Sequence, residues 1–549
     1  MRVTRVTDAP TVIMSSSASA PDRLGLGLGR RLGRRLGRRL GRGRPRRVGA
    51  RANGDASSPT PQTTTSGEGR KVRWNVVRAR AVAATRIVRE REGTDASRTL
   101  RKALRPGWRA GTTRGEGEGE KGWTALTNDE RRAVADATLG TEVWRLRLNK
   151  EVEWVKACGE DEVVDAVRVA EAVCGDEDEA TAEAEMAVLA YWCGVGATND
   201  SAPSVETLRE MYGDGVDAIA RTIREENVPW STDPAGRISE RCSLPSGLAR
   251  MFIDEYGAEQ AERLAAAMNK KGPLICRANG AKEGVSKEDV IEMLRAEPGV
   301  GRIEPSFANL APRAFRLVDG APSGGGIFGS PAWRSGFFEV QDEGSQVIAN
   351  AVEASPGDVI LDACAGNGGK TLAMAGEMRG RGEIYAHDVD ARRLKHLLAN
   401  AERAGVRSLI VPISPEALDA TPDHTFDAIL VDAPCSSVGA LRRTPSLRYA
   451  HDDPRVLAET QSGILDRVCR LLKPGGRLVY ATCSVVSIEN QNVTREFEER
   501  HADFIPWAFD VDVPTCEGVS LEAHERLMLP HVLGTDGFYV ARYKRRCIA

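Results

Sequence analysis

The chain has 549 residues, which is enough for two or three domains, and its apolar content of 41% is ordinary for a globular protein. It contains no run of about 18 apolar residues, so the sequence predicts no membrane span. The net charge of −2 hides a division: residues 1–51 carry 14 arginines against two acids, a net of +12, which leaves −14 for the remainder.

The eleven cysteines and seven histidines are scattered along the chain without a short repeating spacing. This distribution fits a reducing compartment better than a disulfide framework. Because Cys-x-x-Cys pairs are absent as well, the sequence predicts no metal site.

Residues 1–70 form the first predicted segment. They begin with a region rich in arginine and serine that includes the repeat Arg30–Leu40, and they continue into a Gly/Ser/Thr/Pro-rich stretch at Ala52–Gly69. This order is typical of an organelle transit peptide followed by a flexible linker. A basic arm that binds RNA phosphates is the competing interpretation.

Residues 72–235 and 240–330 form two further predicted domains. In the first, Ala-rich helices with one apolar face predict a small bundle, and the charged run Gly111–Lys121 predicts a solvated loop. The second mixes helices with an apolar stretch and ends in the Gly/Ser/Pro-rich run Gly320–Pro331, which favours a small α+β domain. The predicted helices are Val76–Arg91, Asn128–Leu148, Glu162–Val173, Ala182–Tyr191, Val205–Glu225, Gly247–Met268 and Lys287–Ala296, and the apolar stretch is Pro273–Asn279.

Residues 335–546 alternate apolar strands with helices, which predicts an α/β domain whose mostly parallel sheet is covered on both faces. A helix at Gln461–Leu472 is predicted to end at Lys473–Gly476, because proline and glycine stop helices. The predicted strands are Val359–Leu361, Glu383–Ala386, Ser408–Ile413, Ala428–Val431, Arg477–Ala481 and Phe538–Tyr543.

A glycine-rich turn, Gly366–Gly369, follows the first of these strands. Glycines permit a tight turn and the close approach of a ligand. Asp388 ends the second strand, 22 residues after Gly366, and an acid at about 20 residues is the usual partner of a ribose hydroxyl. The pattern predicts a nucleoside-bearing ligand without separating dinucleotides from S-adenosylmethionine, and Lys370 and Asp390 are equally compatible with solvated surface charges.

Two cysteines, Cys435 and Cys483, directly follow predicted strands and have Pro, Ser and Thr as neighbours. We expect both thiols to face the ligand crevice and, if their strands are adjacent, to lie side by side. A thiolate that adds to C6 of a cytosine makes C5 reactive enough to attack a methyl donor, which divides a difficult step into easier ones. Asp432 is placed to hydrogen-bond the N3 and amino edge of that base, and the attacking thiol needs a lowered pKa.

At these residues the chain resembles the bacterial 16S ribosomal RNA cytosine-C5 methyltransferases of the Sun (Fmu) family, within the Nop/Sun group. The blocks that carry the resemblance occur in the family's order and span Phe337–Tyr543, with weaker matches at Leu244–Ser246 and Arg277–Asn279. They are Val340–Gln346, Cys364–Lys370, Asp388, Asp432–Ser436, Lys473–Gly476, Tyr480–Ser484, Glu489–Asn490 and Gly534–Phe538.

The resemblance implies a Rossmann-like class I methyltransferase domain with a mostly parallel seven-stranded sheet, preceded by an all-α NusB-like RNA-binding domain and the small α+β domain. It makes Cys483 the attacking thiol and Cys435 the residue that helps to release product. Ser414 stands where the family often carries an acid, and Gly366–Asn367 where it has Ala-Pro. The implied S-adenosylmethionine site comprises Cys364, Ala365, Gly366, Asn367, Gly368, Gly369, Lys370, Asp388, Ser414 and Asp432.

Arg442, Arg443 and Arg448, together with Tyr449, resemble the family's basic substrate loop. We expect them to hold phosphates and to stack a base, although a solvated loop is the alternative. The target base must leave its stack to reach a buried thiol, so the partner is a single-stranded or looped site in ribosomal RNA.

Together these features predict a monomeric, S-adenosylmethionine-dependent enzyme that forms 5-methylcytosine in small-subunit ribosomal RNA, in the chloroplast or alternatively the mitochondrion. Another RNA such as tRNA is an alternative substrate. A methyltransferase acting on amino groups is disfavoured, because such enzymes typically use Asn/Asp-Pro-Pro-Tyr/Phe where this chain has Asp432–Cys435. A catalytically silent ribosome-assembly factor is disfavoured by the presence of both thiols.

Overall fold

The computed structural model describes residues 72–90, 96–104, 126–159, 163–164, 167–170, 179–224, 226–306, 308–318, 326–449 and 453–547. The predicted leader at residues 1–70 and the charged loop Gly111–Lys121 lie outside the described residues. Half of the residues of the helix predicted at Glu162–Val173 do so as well.

The described residues between 74 and 222 are helical and enclose an apolar core that includes Leu148, Trp192 and Tyr212. Two predicted helices are each divided in the structure. The helix predicted at Asn128–Leu148 is interrupted at Trp144. The helix predicted at Val205–Glu225 is interrupted at Gly213, whose φ of 82° ends a helix. The helices are α1 (Trp74–Glu90), α2 (Ala96–Ala103), α3 (Asn128–Val143), α4 (Arg145–Ala157), α5 (Glu179–Cys193), α6 (Val205–Tyr212) and α7 (Val216–Thr222).

Two helices, α8 (Pro234–Cys242) and α9 (Ser246–Asn269), connect this region to the rest of the chain. Gly257 interrupts α9 with a φ of 73°. Apolar side chains of α9 such as Phe252 and Leu264 share a core with the large sheet described below.

A small antiparallel sheet of four strands, in the order β2-β3-β1-β4, follows α9. Its last strand lies beyond the Gly/Ser/Pro-rich run that predicts a boundary, yet it pairs with the first, with Val340 opposite Cys276. The small sheet therefore takes one strand from the segment assigned by sequence to the following domain. Its elements are β1 (Leu274–Ala278), α10 (Lys287–Arg295), β2 (Ile303–Pro305), β3 (Ala314–Leu317), α11 (Pro331–Arg334) and β4 (Phe338–Val340).

The large sheet has eight strands, seven of them in the order β10-β12-β9-β8-β5-β6-β7, with β11 paired to β12. The five strands from β9 to β7 are parallel, and β12 runs antiparallel to β9. The predicted mostly parallel α/β class is thus confirmed, but the sheet has eight strands rather than the seven that the resemblance implies, because β11 adds to β12. The strands are β5 (Val359–Asp362), β6 (Glu383–Ala386), β7 (Ile410–Pro412), β8 (Phe426–Asp432), β9 (Leu472–Thr482), β10 (Phe504–Pro506), β11 (Glu525–Met528) and β12 (Phe538–Arg545).

Helices cover both faces of this sheet, as its strands require. Leu361 points into one apolar core and its neighbour Ile360 into another, because successive side chains of a strand alternate between faces. The helices are α12 (Glu343–Ala351), α13 (Gly369–Glu377), α14 (Ala391–Ala404), α15 (Pro415–Asp419), α16 (Pro454–Cys469), α17 (Gln491–Arg500) and α18 (Pro530–Leu533).

The predicted end of helix Gln461–Leu472 is wrong. The helix ends at Cys469, and Lys473–Gly476 lies inside β9, where Gly475 has a φ of 77° and the pairing with β8 shifts register. Glycine and proline here form an irregularity within a strand rather than a helix stop.

Strand order reverses between β5 and β8, since the chain continues from β5 to β6 on one side and later adds β8 and β9 on the other. Such a switch point opens a crevice at the carboxyl ends of the strands, where ligands bind in open α/β sheets. Within the part of the chain that the structure describes, the helices are too short or too polar to cross a bilayer.

Candidate active site

The two thiols singled out by sequence meet at this edge of the sheet. Strands β8 and β9 are parallel neighbours, with Asp432 opposite Ala481, so the segments that follow them leave the sheet side by side. The Sγ atoms of Cys435 and Cys483 lie 3.4 Å apart. The prediction that the thiols are neighbours is therefore confirmed.

A cavity of about 610 Å³ opens at the switch point, beside the thiol pair. Most residues of the predicted ligand turn line it, as do both cysteines, whereas Gly368 and Ser414 do not. Helix α16 supplies a wall of mixed polarity that the sequence analysis missed, because no motif marks which face of a helix meets a cavity. The residues of the sequence-predicted site that line the cavity are Cys364, Ala365, Gly366, Asn367, Gly369, Lys370, Asp388, Asp432, Cys435 and Cys483.

Ser414 lies outside the cavity lining and has a structural role instead. Its exposed side chain caps α15, where the hydroxyl accepts a hydrogen bond from the backbone N–H of Ala417 at 3.2 Å. The prediction that Ser414 binds the cofactor is corrected accordingly.

The glycine turn is held by the acid predicted to meet a ribose. The Asp388 carboxylate accepts hydrogen bonds from the backbone N–H groups of Gly366 at 2.9 Å and of Asp390 at 2.7 Å. Asp390 itself caps α14 and pairs with the exposed Arg392. The turn and the acid thus form one preorganised unit at the cavity wall.

Gly368, in the same turn, packs closely against Leu397 of α14. Its φ is 92°, and a Cβ added there would lie 2.7 Å from Cγ of Leu397. We expect Gly368→Ala to lower the free energy of unfolding by about 1–3 kcal/mol, because alanine suits neither the left-handed backbone nor the space. Urea denaturation measures the change.

Gly247 provides the matched control for this prediction. It lies in α9 with open space around its Cβ position and without a positive φ, so Gly247→Ala should keep or slightly raise the stability. Equal stability of the two variants would contradict the role given to Gly368.

A buried acid before the glycine turn, which the sequence analysis did not single out, also lines the cavity. Asp362 ends β5, and its Oδ2 accepts from Thr371 Oγ1 at 2.7 Å, while Oδ1 is buried without a hydrogen-bond partner among the described residues. Burial raises the pKa of Asp362 to about 7. Since buried polar atoms are normally paired, this oxygen is available to a hydrogen-bonding group of a ligand in the cavity.

Lys370 and Asp432 form an ion pair inside the site, with Nζ 2.7 Å from Oδ2. Burial alone would lower the pKa of Lys370, but the adjacent carboxylate outweighs it and raises the pKa. The alternative of a solvated surface charge for Lys370 is therefore wrong. A permanent cation lies beside the carboxylate at the end of β8.

The surroundings make the two thiols unequal. The hydrogen bond from Cys435 lowers the pKa of Cys483, aided by the Ser437 hydroxyl at 3.3 Å and by Lys370, and opposed by burial and Asp432. The same hydrogen bond, burial and the Glu489 carboxylate raise the pKa of Cys435. Cys483 is therefore the thiol of the pair that ionises more readily, and Cys435 lies where it can donate a hydrogen bond to it, which suits a nucleophile at Cys483.

Helix α9 holds the loop that follows Cys483. The Glu255 carboxylate accepts hydrogen bonds from the Ser487 backbone N–H at 2.9 and 3.0 Å and from its hydroxyl at 3.0 Å. Next to it, the Tyr256 hydroxyl donates to the carbonyl oxygen of Val485. Helix α9, which lies outside the large sheet, thus positions the loop that follows Cys483.

Arg442 and Arg443, predicted to bind RNA, instead join two of the sequence blocks. Arg442 is 5% exposed and pairs with Asp536, while Arg443, 34% exposed, pairs with Asp342 at 2.9 Å and with Asp536. The buried guanidinium of Arg442 is not available to a phosphate, which corrects its predicted role. Arg443 keeps a partly exposed edge.

Arg448 is buried at 3% exposure, and its predicted RNA contact is wrong. Its Nη1 donates to the carbonyl oxygens of Val143 at 2.6 Å and Ser243 at 3.1 Å, and to Asn269 Oδ1 at 2.8 Å. These acceptors end α3, α8 and α9, so Arg448 ties the loop after Cys435 to three helices. Its neighbour Tyr449, expected to stack a base, lies under the guanidinium of Arg145.

We expect Arg448→Met to lower the free energy of unfolding by about 1.5–3 kcal/mol, because hydrogen bonds from a charged donor are lost and their acceptors stay buried. Urea denaturation of the full chain measures the loss. Arg250→Met is the control, since Arg250 is 64% exposed and its pairing with Asp233 is worth less than about 1 kcal/mol. Equal losses in the two variants would contradict the role given to Arg448.

Residues 349–544 match the family described as 16S rRNA methyltransferase RsmB/F. A probable ribosomal RNA small subunit methyltransferase B of Bacillus subtilis is 32% identical over 343 residues, which cover 60% of this chain and 73% of that protein. The ribosomal RNA small subunit methyltransferase B of Pseudomonas putida is 33% identical over 354 residues, covering 63% and 77%.

The fold also occurs among solved structures. The crystal structure of PH0851 aligns with a TM-score of 0.59 and 21% sequence identity, over 86% of this chain and 99% of the other. At this identity the likeness concerns architecture alone.

Proposed function

Because this chain belongs to the 16S rRNA methyltransferase RsmB/F family, we propose that it forms 5-methylcytosine in small-subunit ribosomal RNA through a bond between Cys483 and C6 of the base. Membership makes it an S-adenosylmethionine-dependent rRNA methyltransferase. The choice of C5 rests on one observation, the pair of thiols 3.4 Å apart beside the ligand cavity.

The cavity fits S-adenosylmethionine. Asp388 is placed for the ribose hydroxyls, the turn at Gly366 brings backbone N–H groups close, and the free Oδ1 of Asp362 suits the ammonium group. The cofactor supplies a methyl group on a positively charged sulfur. The carboxylates around the cavity favour that charge.

Cys483 performs the first step in this proposal. Its thiolate adds to C6 of the cytosine, and the displaced electron pair enriches C5 as a proton reaches N3. Asp432 is placed to orient the N3 and amino edge of the base, and Lys370 keeps that carboxylate in position at 2.7 Å. The covalent intermediate replaces one high barrier by lower ones.

Product release reverses the bond to sulfur. Once C5 carries its methyl group, the C5 proton leaves, the C5–C6 double bond forms again, the C6–S electron pair returns to Cys483, and N3 gives up to solvent the proton that it took up in the first step. Cys435 is placed to assist, because its sulfur lies within hydrogen-bonding reach of the departing one.

A methylation assay tests the proposal. The full chain is incubated with small-subunit ribosomal RNA and S-adenosylmethionine, and bisulfite sequencing then locates 5-methylcytosine. We expect one modified cytosine in a single-stranded or looped site. A methyl group on a cytosine amino group, or none on any RNA, would contradict the proposal, and modification of tRNA alone would move it to the alternative substrate.

Three expectations about the whole chain stay predictions. These are delivery to the chloroplast by residues 1–70, the NusB-like character of residues 72–235, and a monomeric state.

A further inference from the structure

The two thiols are chemically alike, yet the proposed function, on which this inference rests, gives them different tasks. Cys483 follows the end of β9 directly, and its position is set by that strand. Cys435 lies farther from β8, in an irregular segment between Pro434 and Ser436. The position of Cys435 therefore depends on contacts from outside its own strand.

Glu489 supplies such a contact to the residue after Cys435. Its side chain is fully buried, Oε1 accepts from the Ser436 backbone N–H at 2.7 Å, and Oε2 accepts from the Ser436 hydroxyl at 2.5 Å. Gln461 Nε2 donates to the same Oε1 at 3.2 Å. The carboxylate thus fixes both polar groups of Ser436.

Gln461 fixes the residue before Cys435. Its Nε2 also donates to the carbonyl oxygen of Pro434 at 3.0 Å, and its Oε1 lies 3.0 Å from the Tyr480 hydroxyl. That hydroxyl lies 2.6 Å from the carbonyl oxygen of Glu489. The residues on both sides of Cys435 are therefore tied into one buried network centred on Glu489.

The charge of Glu489 is unusual for a residue that merely fills space. All three of its donors are neutral, and burying a carboxylate among neutral groups costs more than burying an amide of the same shape. Functional sites often retain an energetically unfavourable buried charge, and this one lies next to the two thiols. The acid therefore has a use at the thiols beyond packing.

We propose that Glu489 is a positioning residue for product release: acting through Ser436, it holds the Cys435 S–H where it donates to the sulfur of Cys483. In that step the C6–S bond breaks and its electron pair becomes the Cys483 thiolate, stabilised by the Cys435 S–H. The C5 proton passes to water, and its bonding pair restores the C5–C6 double bond. Glu489 contacts neither of the reacting sulfurs and acts only through Cys435.

The test separates methyl transfer from release in Glu489→Gln, whose amide has the same shape but turns a donor toward Ser436. We expect the single-turnover rate of methyl transfer to stay within about 3-fold of that of the unaltered chain. The steady-state turnover should fall by about 10-fold or more, and a covalent protein–RNA adduct should appear on denaturing gels. A merely structural role would slow both steps together and accumulate no adduct.

Glu498→Gln is the matched control. Glu498 lies on α17, where its carboxylate accepts from the Tyr543 hydroxyl at 2.8 Å, away from both thiol loops. We expect normal turnover and no adduct in this variant. Adding Glu489→Gln to Cys435→Ser should not raise the adduct further, because residues that act through one another are not additive.

Release at the normal rate in Glu489→Gln, or an additive effect in the double variant, would overturn the inference. Should Glu489→Gln fail to fold, Ser436→Ala decides: adduct supports the inference and normal release overturns it. Absence of 5-methylcytosine with the unaltered chain would instead refute the proposed function and this inference with it.

Discussion

Cys483→Ala is expected to abolish methyl transfer to C5, whereas Cys435→Ser is expected to form the bond to C6 and to release it too slowly. The first variant lacks the nucleophile, and the second lacks the thiol that assists the departing sulfur at 3.4 Å. Labelled S-adenosylmethionine and denaturing gels measure the two outcomes. The Cys435→Ser adduct should carry the label, because methyl transfer precedes release.

Cys547→Ser controls for the loss of a thiol as such. Cys547 is an exposed free cysteine near the end of the chain, so this variant should retain full activity. Appreciable turnover in Cys483→Ala would contradict the assigned nucleophile. A labelled adduct in Cys483→Ala, but not in Cys435→Ser, would exchange the roles of the two cysteines.

Lys370→Met is expected to slow methylation at neutral pH by about 100-fold, a loss typical of removing one preorganised charge from a reacting site. Lys370 helps to keep the pKa of Cys483 low. Without the cation that pKa rises, the thiolate fraction at a given pH falls, and the pH–rate profile moves to higher pH. The rate of the variant should therefore recover in part as the pH is raised.

Lys473→Met is the matched control, since Lys473 also pairs with an aspartate at 2.7 Å, that of Asp427, but at the opposite end of β8. It should leave the pH–rate profile unchanged. An unshifted profile in Lys370→Met would show that the lysine does not act on the thiolate.

The sequence was most informative where residues directly follow strands. Strand direction and order place such residues at one edge of a parallel sheet, so the neighbourhood of Cys435, Cys483 and the glycine turn could be predicted without side-chain detail. The spacing of Asp388 from Gly366 predicts a ribose contact, which stays a prediction, whereas the hydrogen bond from the Gly366 N–H to Asp388 at 2.9 Å was not predicted.

Side chains in irregular segments were predicted less well, because their partners come from distant parts of the chain. Arg448 reads as a basic loop residue, yet its acceptors lie 179 to 305 residues away along the chain. Lys370 reads equally well as a surface charge, and only the course of β8 brings Asp432 to it. Nothing local distinguishes such arginines and lysines from those that meet solvent or RNA.

Local rules also competed with tertiary pairing. Lys473–Gly476 has the composition of a helix stop, but the chain had already left its helix at Cys469, and strand pairing absorbs the glycines. Glu489 was noted only as part of a block that carries the family resemblance. Its partner Ser436 lies 53 residues earlier, so the contact has no signature in the sequence around it.

Helix α9 contacts the segments that follow both thiols. Glu255, in its middle, accepts a hydrogen bond from the backbone after Cys483, and Asn269, its last residue, accepts one from Arg448 in the segment after Cys435. The positions of the two thiols therefore depend on α9 as well as on the large sheet. A fusion that joined a foreign sequence at residue 335 would therefore keep both thiols but lose the contacts of Glu255 and Asn269 with the segments that follow them.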